Sequence, residues 1–292
     1  MSVTFYPNYI HTAGFSKTAE PSITTQGYAC SGGETSGAAY DLVDNRNSNV
    51  ITIDTNGEAT DFAVDLDLTS DMQDIASPDF VIVDNHNFKT ASVNVYLEND
   101  GSSTNLTSAY SGTLGTELTA ESIDTGGDHF VDEPTDGVLI INFTAEQNAT
   151  DQNLEILGLD DGGANFTADV TMGEIAMGKK CTPGVSPDIN QQESIMYGNA
   201  VQQSRGGQKY GVQYHGKRRS WTLGWKILQE TDMTNLKAVW DACNGSLYPF
   251  WIDLGEGSSN PLLYYVRFVG DFNYTKLTNQ AYSLRLQIEE EL

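Results

Sequence analysis

The chain has 292 residues, 39% apolar and 19% charged, with 15 basic against 40 acidic side chains and a net charge of −25. That composition is globular, and the length suits two domains of roughly 100–180 residues. No run of about 18 apolar residues exists, so membrane insertion is not expected; MSVTFYPNYIHTAGFSK lacks the basic and apolar regions of a signal peptide, and the three cysteines (Cys30, Cys181, Cys243) form neither a disulfide framework nor a CxxC pair.

The acidity is confined to one part. Residues 1–178 carry three basic side chains (Lys17, Arg46, Lys89) against 29 acidic ones, whereas residues 179–292 carry 12 against 11 and hold all four tryptophans. The shift implies two domains, 1–178 and 195–292, joined by a linker over 179–194 that contains GKKCTPGVSP. The acidic part repels phosphates, so no sequence-specific nucleic acid partner is expected, although an acidic channel would let DNA pass without sticking. A saline environment would produce the same composition with no site behind it.

In the first part, ITID (51–54), FAVDLDL (62–68), FVIVDNH (80–86), SVNVYLE (92–98), GVLIINF (137–143) and NLEILGL (153–159) are short, β-branched and partly alternating. Clusters such as SGGETSG, ENDGSS and DDGGAN between them supply turns and loops. No helix of ten residues is expected there. The fold class is therefore mainly β, with an N-terminal β-sandwich of jelly-roll type.

Several side chains of this part invite a functional reading. His86 and Asn87 suit a strand end tied to its neighbouring loop better than a metal site, having no second histidine at ligand spacing. Asp124, Asp128 and Asp132, with His129 and Glu133, are candidate ligands for a hard cation, as are Asp160 and Asp161 with Asp44 and Asn45. Such a cation would be a structural Ca2+, but neither stretch matches an EF-hand loop, and solvated acidic loops explain both. No other cofactor is expected.

In the second part, RRSWTLGWKIL places Trp221, Leu223, Trp225 and Ile227 on one strand face, against Thr222, Lys226 and Leu228. This face suits a packed core, or alternatively a sugar platform. The spacing of Met233, Leu236, Val239 and Trp240 predicts a helix over 231–244, N-capped by Thr231 or Asp232 and ended by Asn244-Gly245. LYPFWIDL, LLYYVRFVGDF and AYSLRLQIEEEL supply three more strands. Lys217, Arg218 and Arg219 form a basic run that reads either as a dock for an acidic neighbour, such as the acidic half of another subunit, or as a solvated strand end. The Glu289–Glu291 run is expected to face solvent or to pair with such a cluster.

Two resemblances follow from the order of these segments. AAYDLVDNRN (38–47), FAVDLDL, DFVIVDNHNF, SVNVYLENDG and MGEIAMG (172–178, as a closing strand) are similar to a galactose-binding-like (discoidin-type) jelly roll over residues 20–178. In that family a sugar site, where present, lies on loops at one end. Tyr40, Tyr96 and Tyr110 are the glycan-contact candidates here, with no Trp and only Arg46 to assist. RSWTLGW, a helix, NGSLYPFWID, VRFVGD and YSLRLQIEEEL resemble the tail-tube-like β-sandwich or barrel domains of tailed bacteriophages, including distal tail and tail-tip proteins.

The second resemblance implies a structural virion protein of the tail, assembled in the host cytoplasm. It would form a ring (trimer or hexamer), join neighbouring tail-tube and tail-tip proteins, and project the jelly roll toward them or toward a host surface glycan. In distal tail proteins the tube-like domain comes first, whereas here it comes last. The alternative is a carbohydrate-binding or adhesin module not dedicated to tail assembly. No GxSxG, HExxH, Walker A or GxGxxG motif occurs, so no enzymatic activity is expected.

Overall fold

The computed structural model describes residues 2–10, 22–26, 34–46, 48–53, 61–67, 79–87, 94–100, 137–142, 153–159, 168–188, 192–205, 207–255 and 262–291. The chain is mainly β, and its sheets are antiparallel in every register given for them. It divides into two compact units. The N-terminal unit holds Tyr6–Lys180 with Gly257–Pro261, and the C-terminal unit holds Met1–Phe5, Cys181–Glu256 and Leu262–Leu292.

In chain order the strands are β1 (Thr4–Pro7), β2 (Ser22–Gln26), β3 (Glu34–Ser36), β4 (Ile51–Ile53), β5 (Asp61–Asp67), β6 (Phe80–Val83), β7 (Asn94–Asp100), β8 (Leu139–Asn142), β9 (Asn153–Leu159), β10 (Val170–Met172) and β11 (Ile175–Gly178). Then follow β12 (Gln192–Gln203), β13 (Lys209–Gln229), helix α1 (Glu230–Ala242), β14 (Phe250–Asp253), β15 (Leu263–Phe268), β16 (Asn273–Lys276) and β17 (Ala281–Glu290).

The N-terminal unit contains three sheets, ordered β10-β4-β3, β11-β6-β8 and β2-β5-β9-β7. Every residue of β6 and β11 is buried. Strands covered on both faces read as continuous apolar runs, and FVIV and IAMG do so. MGEIAMG is not one closing strand. It splits at Gly173-Glu174 into β10 and β11, which belong to different sheets. The split follows from a close backbone approach, in which Gly173 N–H donates to Asp84 C=O at 2.7 Å. A Cβ on Gly173 would lie 2.9 Å from the Asn85 Cβ.

The C-terminal unit is one seven-stranded sheet, ordered β1-β14-β15-β17-β13-β12, with β16 beside β17. α1 buries Met233, Leu236 and Val239 in the core that Trp221, Leu223, Trp225, Phe250, Phe268, Leu284, Leu286 and Ile288 also form, and Ala242 is buried as well. Trp240 sits at the margin, its ring 5.0 Å from that of Phe268. The helix starts at Glu230 with no side-chain cap; Asp232 instead accepts from Gly184 N–H at 3.1 Å. Asn244 and Gly245 both take positive φ, and Gly245 N–H closes back on Trp240 C=O at 2.9 Å, as an Asn-Gly helix end should.

Three expectations change here. Residues 2–5 join the C-terminal unit rather than the acidic one. Phe5 is fully buried, stacks on Phe250 at 6.1 Å, and exchanges two 2.9 Å backbone bonds with Cys181. Residues 181–188, expected as linker, are fixed along β13. Trp225 Nε1 donates to Val185 C=O at 2.9 Å, and Asp188 N–H donates to Gly224 C=O at 2.7 Å. The alternation of β13 inverts near its end: Ile227 is 64% exposed while Leu228 is fully buried. The register against β17 shifts between Trp225 and Leu228, and a bulge of this kind turns the next side chain to the other face.

Candidate functional site

The feature that the core does not account for is the length of β13. Its residues Ser220–Gln229 pair with β17, but among the described residues Lys209–Arg219 pair only with β12. Together β12 and the first half of β13 form a two-stranded arm of roughly 35 Å at about 3.3 Å per residue. The arm is closed by a turn at Ser204–Gln208. There Gly207, at φ 83°, donates to Ser204 C=O, and Ser204 Oγ accepts from Gln208 N–H. Ile195, Met196, Tyr197, Tyr210 and Val212 on the arm are all about half exposed or more, Tyr197 and Tyr210 at 58%. Successive strand residues point to opposite faces, so exposure of the consecutive Ile195, Met196 and Tyr197 leaves both faces of the arm open at its root.

The arm's root is clamped. Arg218 pairs with Glu289 at 2.8 Å, and Arg219 donates its backbone N–H to Glu290 at 2.9 Å. The Arg219 guanidinium lies over the Tyr264 ring, which also packs on Trp221 with centroids 4.9 Å apart. Arg267 pairs with Glu291 and bonds the carbonyls of Ser246 and Leu247. The Glu289–Glu291 run thus engages basic side chains where β13 leaves the sheet. Half-exposed pairs of this kind contribute about 0–1 kcal/mol each, so their effect is on the arm's direction more than on stability. Of the basic run, Lys217 is left exposed and pairs with no carboxylate among the described residues.

A second polar constellation lies in the N-terminal unit. Glu174 is fully buried; Asn8 Nδ2 and Arg46 N–H each donate to its carboxyl at 3.0 Å. Burial pushes the Glu174 carboxyl well above the usual carboxylate range, and the nearby Asp44 and Asp84 push it further. Asp44 is raised as well, chiefly by burial, against the pull of Asn49 Nδ2 at 2.7 Å. This cluster is satisfied by protein donors. No group of three or more His, Cys, Asp or Glu among the described residues is arranged to hold a metal ion.

The four-stranded sheet carries a third pattern. Cross-strand partners put Asp65, Glu155 and Glu98 in one row over β5, β9 and β7, and Asp67, Asn153 and Asp100 in the next row on that face. The alternate positions, Val64, Ile156 and Leu97, are apolar, and Val64 is fully buried.

Of the glycan-contact candidates, Tyr40 lies on a 3-10 turn (Ala39–Leu42) and is half-buried, and Tyr96 sits on β7 in the row beside Glu98. Tyr110 lies outside the described residues, as do the cation candidates Asp124, Asp128, Asp132, Asp160 and Asp161. His86 and Asn87 close β6. The Asn87 amide donates to Asp169 C=O and accepts from Thr171 N–H, at 2.7 and 2.8 Å, while burial holds the His86 imidazole down to about 3. The tryptophans Trp221, Trp225 and Trp251 are buried, which suits the core reading rather than a sugar platform. The arm escaped the sequence reading. Its signal was the SRGGQ turn between two extended runs, visible in the chain but outweighed by the stronger aromatic pattern after it.

No protein-family model matches the sequence, and no curated protein matches it. One solved structure with a partial likeness is the CBM32-1 module from a family 31 glycoside hydrolase of Clostridium perfringens. It is 17% identical, with a TM-score of 0.32, over 54% of this chain and 94% of that one. A score that low does not establish a shared fold.

Proposed function

We propose that the protein is a self-assembling structural component of a tailed-phage tail or tail tip, whose copies join through the β12–β13 arm. The observation that carries this reading is the arm. A two-stranded ribbon is marginal in water by itself, yet this one exposes Ile195, Met196, Tyr197, Tyr210 and Val212. The outer edge of β12 also has no strand beside it among the described residues. Seating the arm on the next copy covers both. A head-to-tail contact of this kind closes into a ring when the rotation permits, here a trimer or hexamer. The resemblance of RSWTLGW through YSLRLQIEEEL to tail-tube-like domains is what supports reading such a ring as part of a tail. The role is assembly rather than chemistry, and neighbouring tail proteins are the further partners. Negative-stain electron microscopy of the purified full chain at micromolar concentration tests the reading. Uniform closed rings support it; isolated particles of single-chain size at every concentration oppose it.

The second reading is a carbohydrate-binding module. The half-buried Tyr40 on the 3-10 turn is the described residue that favours it. Retention of the monomeric chain on a glycan array, lost with Tyr40→Ala, would move the conclusion there.

A further inference from the structure

We infer that the arm of one copy is received by the open edge of β16 in the next, where β12 adds as an antiparallel strand. This rests on the proposed self-assembly and names the contact that performs it.

Two whole strands of the C-terminal unit, β12 and β16, have no outer neighbour among the described residues. β1, at the far end of the sheet, is bonded to Cys181. β12 has none of the devices that blunt a free edge: it is 12 residues long and contains no Pro, Lys or Arg. The β12-β13-β17-β16 run changes direction at each step, so its two outer strands run oppositely. A second copy held the same way up can therefore lay its β12 antiparallel along β16, with the α1 side of both sheets facing the same way. This is the head-to-tail contact that a ring requires.

Charge selects the register. Glu193 is the one charged residue of β12, and Lys276 the one charged residue of β16. Both are exposed, and neither is in an ion pair among the described residues. Setting Glu193 opposite Lys276 brings Ile195, 49% exposed, opposite Tyr274, 52% exposed, and Tyr197 opposite Phe272. Directly opposite residues share a face. The faces agree, because Trp221, the partner of Glu193, and Tyr282 and Leu284, the partners of Lys276 and Tyr274, all belong to the core beneath α1. One face thus gains an ion pair, an aliphatic–aromatic pair and an aromatic pair. A slip of two residues loses the ion pair, and a slip of one turns β12 over.

The stagger of this register suits closure. Ser194 is level with Glu289 of β17 through Ser220, and Thr275, opposite Ser194 in the next copy, is level with Ser283. That offset along β17 is about 20 Å over four strands roughly 19 Å wide, a tilt of about 45°. Closed sheets tilt their strands by about 35–45°, so tilting cancels the rise from copy to copy. Past Tyr197 the arm continues along the exposed Val269–Asp271 segment. It needs that length, because the short β16 edge alone falls far below the roughly 800 Å² per partner of a stable interface.

Cysteine cross-linking in the Cys30→Ser full chain tests the register, since Cys181 and Cys243 are buried. Ser194 and Thr275 are exposed, and opposite Cα atoms lie about 4.5–5.5 Å apart, within disulfide reach. Under mild oxidation an equal mixture of Ser194→Cys and Thr275→Cys chains should give a two-chain disulfide product that neither variant gives alone. A mixture that yields no more product than the single variants, from chains that assemble in sedimentation, overturns the inference and leaves self-assembly standing. The same result from chains that stay single overturns both. Charge reversal reads the contact without a covalent bond. Glu193→Lys and Lys276→Glu should each weaken association by about three- to tenfold, and the chain carrying both should recover it. Association unchanged by the single reversals, or not recovered in the double one, refutes the inference, with circular dichroism confirming that each variant folds.

Discussion

The inverted alternation at the end of β13 gives a sharp comparison of two adjacent residues. Simple strand alternation puts Ile227 in the core and Leu228 outside, whereas the bulge exposes Ile227 to 64% and buries Leu228 completely. Leu228→Ala removes a side chain from the aromatic core beneath α1. Its cost combines lost transfer energy with the cavity left behind, about 3 kcal/mol within a usual range of ~2–5. Ile227→Ala removes an exposed side chain and should fall within about 0.5 kcal/mol of the parent. With a urea slope near 1.5 kcal/mol per molar, the first variant shifts the midpoint down by about 2 M and the second by less than ~0.4 M. All four tryptophans lie in the C-terminal unit, so tryptophan fluorescence follows that unit's transition alone. Equal shifts, or a larger one for Ile227→Ala, would refute the bulge and its placement of the two side chains.

Further expectations concern groups buried elsewhere. Glu174 has a folded pKa raised by burial, so the folded N-terminal unit holds a proton that the unfolded chain has released. Stability should therefore fall as pH rises from the ordinary carboxylate range toward the raised value. Amide protection in β6 and β11, corrected for intrinsic exchange, should be greater at pH 5 than at pH 7, and Glu174→Gln should flatten the difference. Gly178→Ala should destabilise the same unit by about 1–3 kcal/mol, because the new Cβ would sit 2.6 Å from Pro7 C=O and 2.3 Å from the Tyr9 ring. A thermal melt by circular dichroism reads this. Cys181 and Cys243 are buried, which pushes the Cys181 thiol up to about 12 and raises Cys243 too. In a Cys30→Ser background, neither should react with Ellman's reagent at pH 8 until urea unfolds the protein.

The strands of the N-terminal unit were legible because β-branched runs such as FVIV and LIIN occur between turn clusters, and the helix because apolar spacing, Asn244 and Gly245 agreed. What escaped was set by contacts distant in sequence. Phe5 finds Phe250 across the chain, the approach of Gly173 to Asp84 divides MGEIAMG, and the bulge after Trp225 depends on pairing with β17. β16 was missed because all its residues are exposed and it has no buried face to imprint a pattern. The arm was hidden for the same reason. Its exposed apolar residues reflect no core, and their spacing gains meaning only once β17 is seen to stop at Glu290 while β13 continues past it.

The central claim is that the arm joins copies, and sedimentation equilibrium of two full-length proteins tests it most directly. One is the parent chain; the other has residues 198–216 replaced by Asn-Gly, which closes β12 and β13 in a tight turn beyond Tyr197 and Lys217. The parent should sediment as a closed multiple of 31.8 kDa and the shortened chain as the 31.8 kDa species minus its arm. A parent that stays at single-chain mass, or a shortened chain that assembles as the parent does, would contradict the claim.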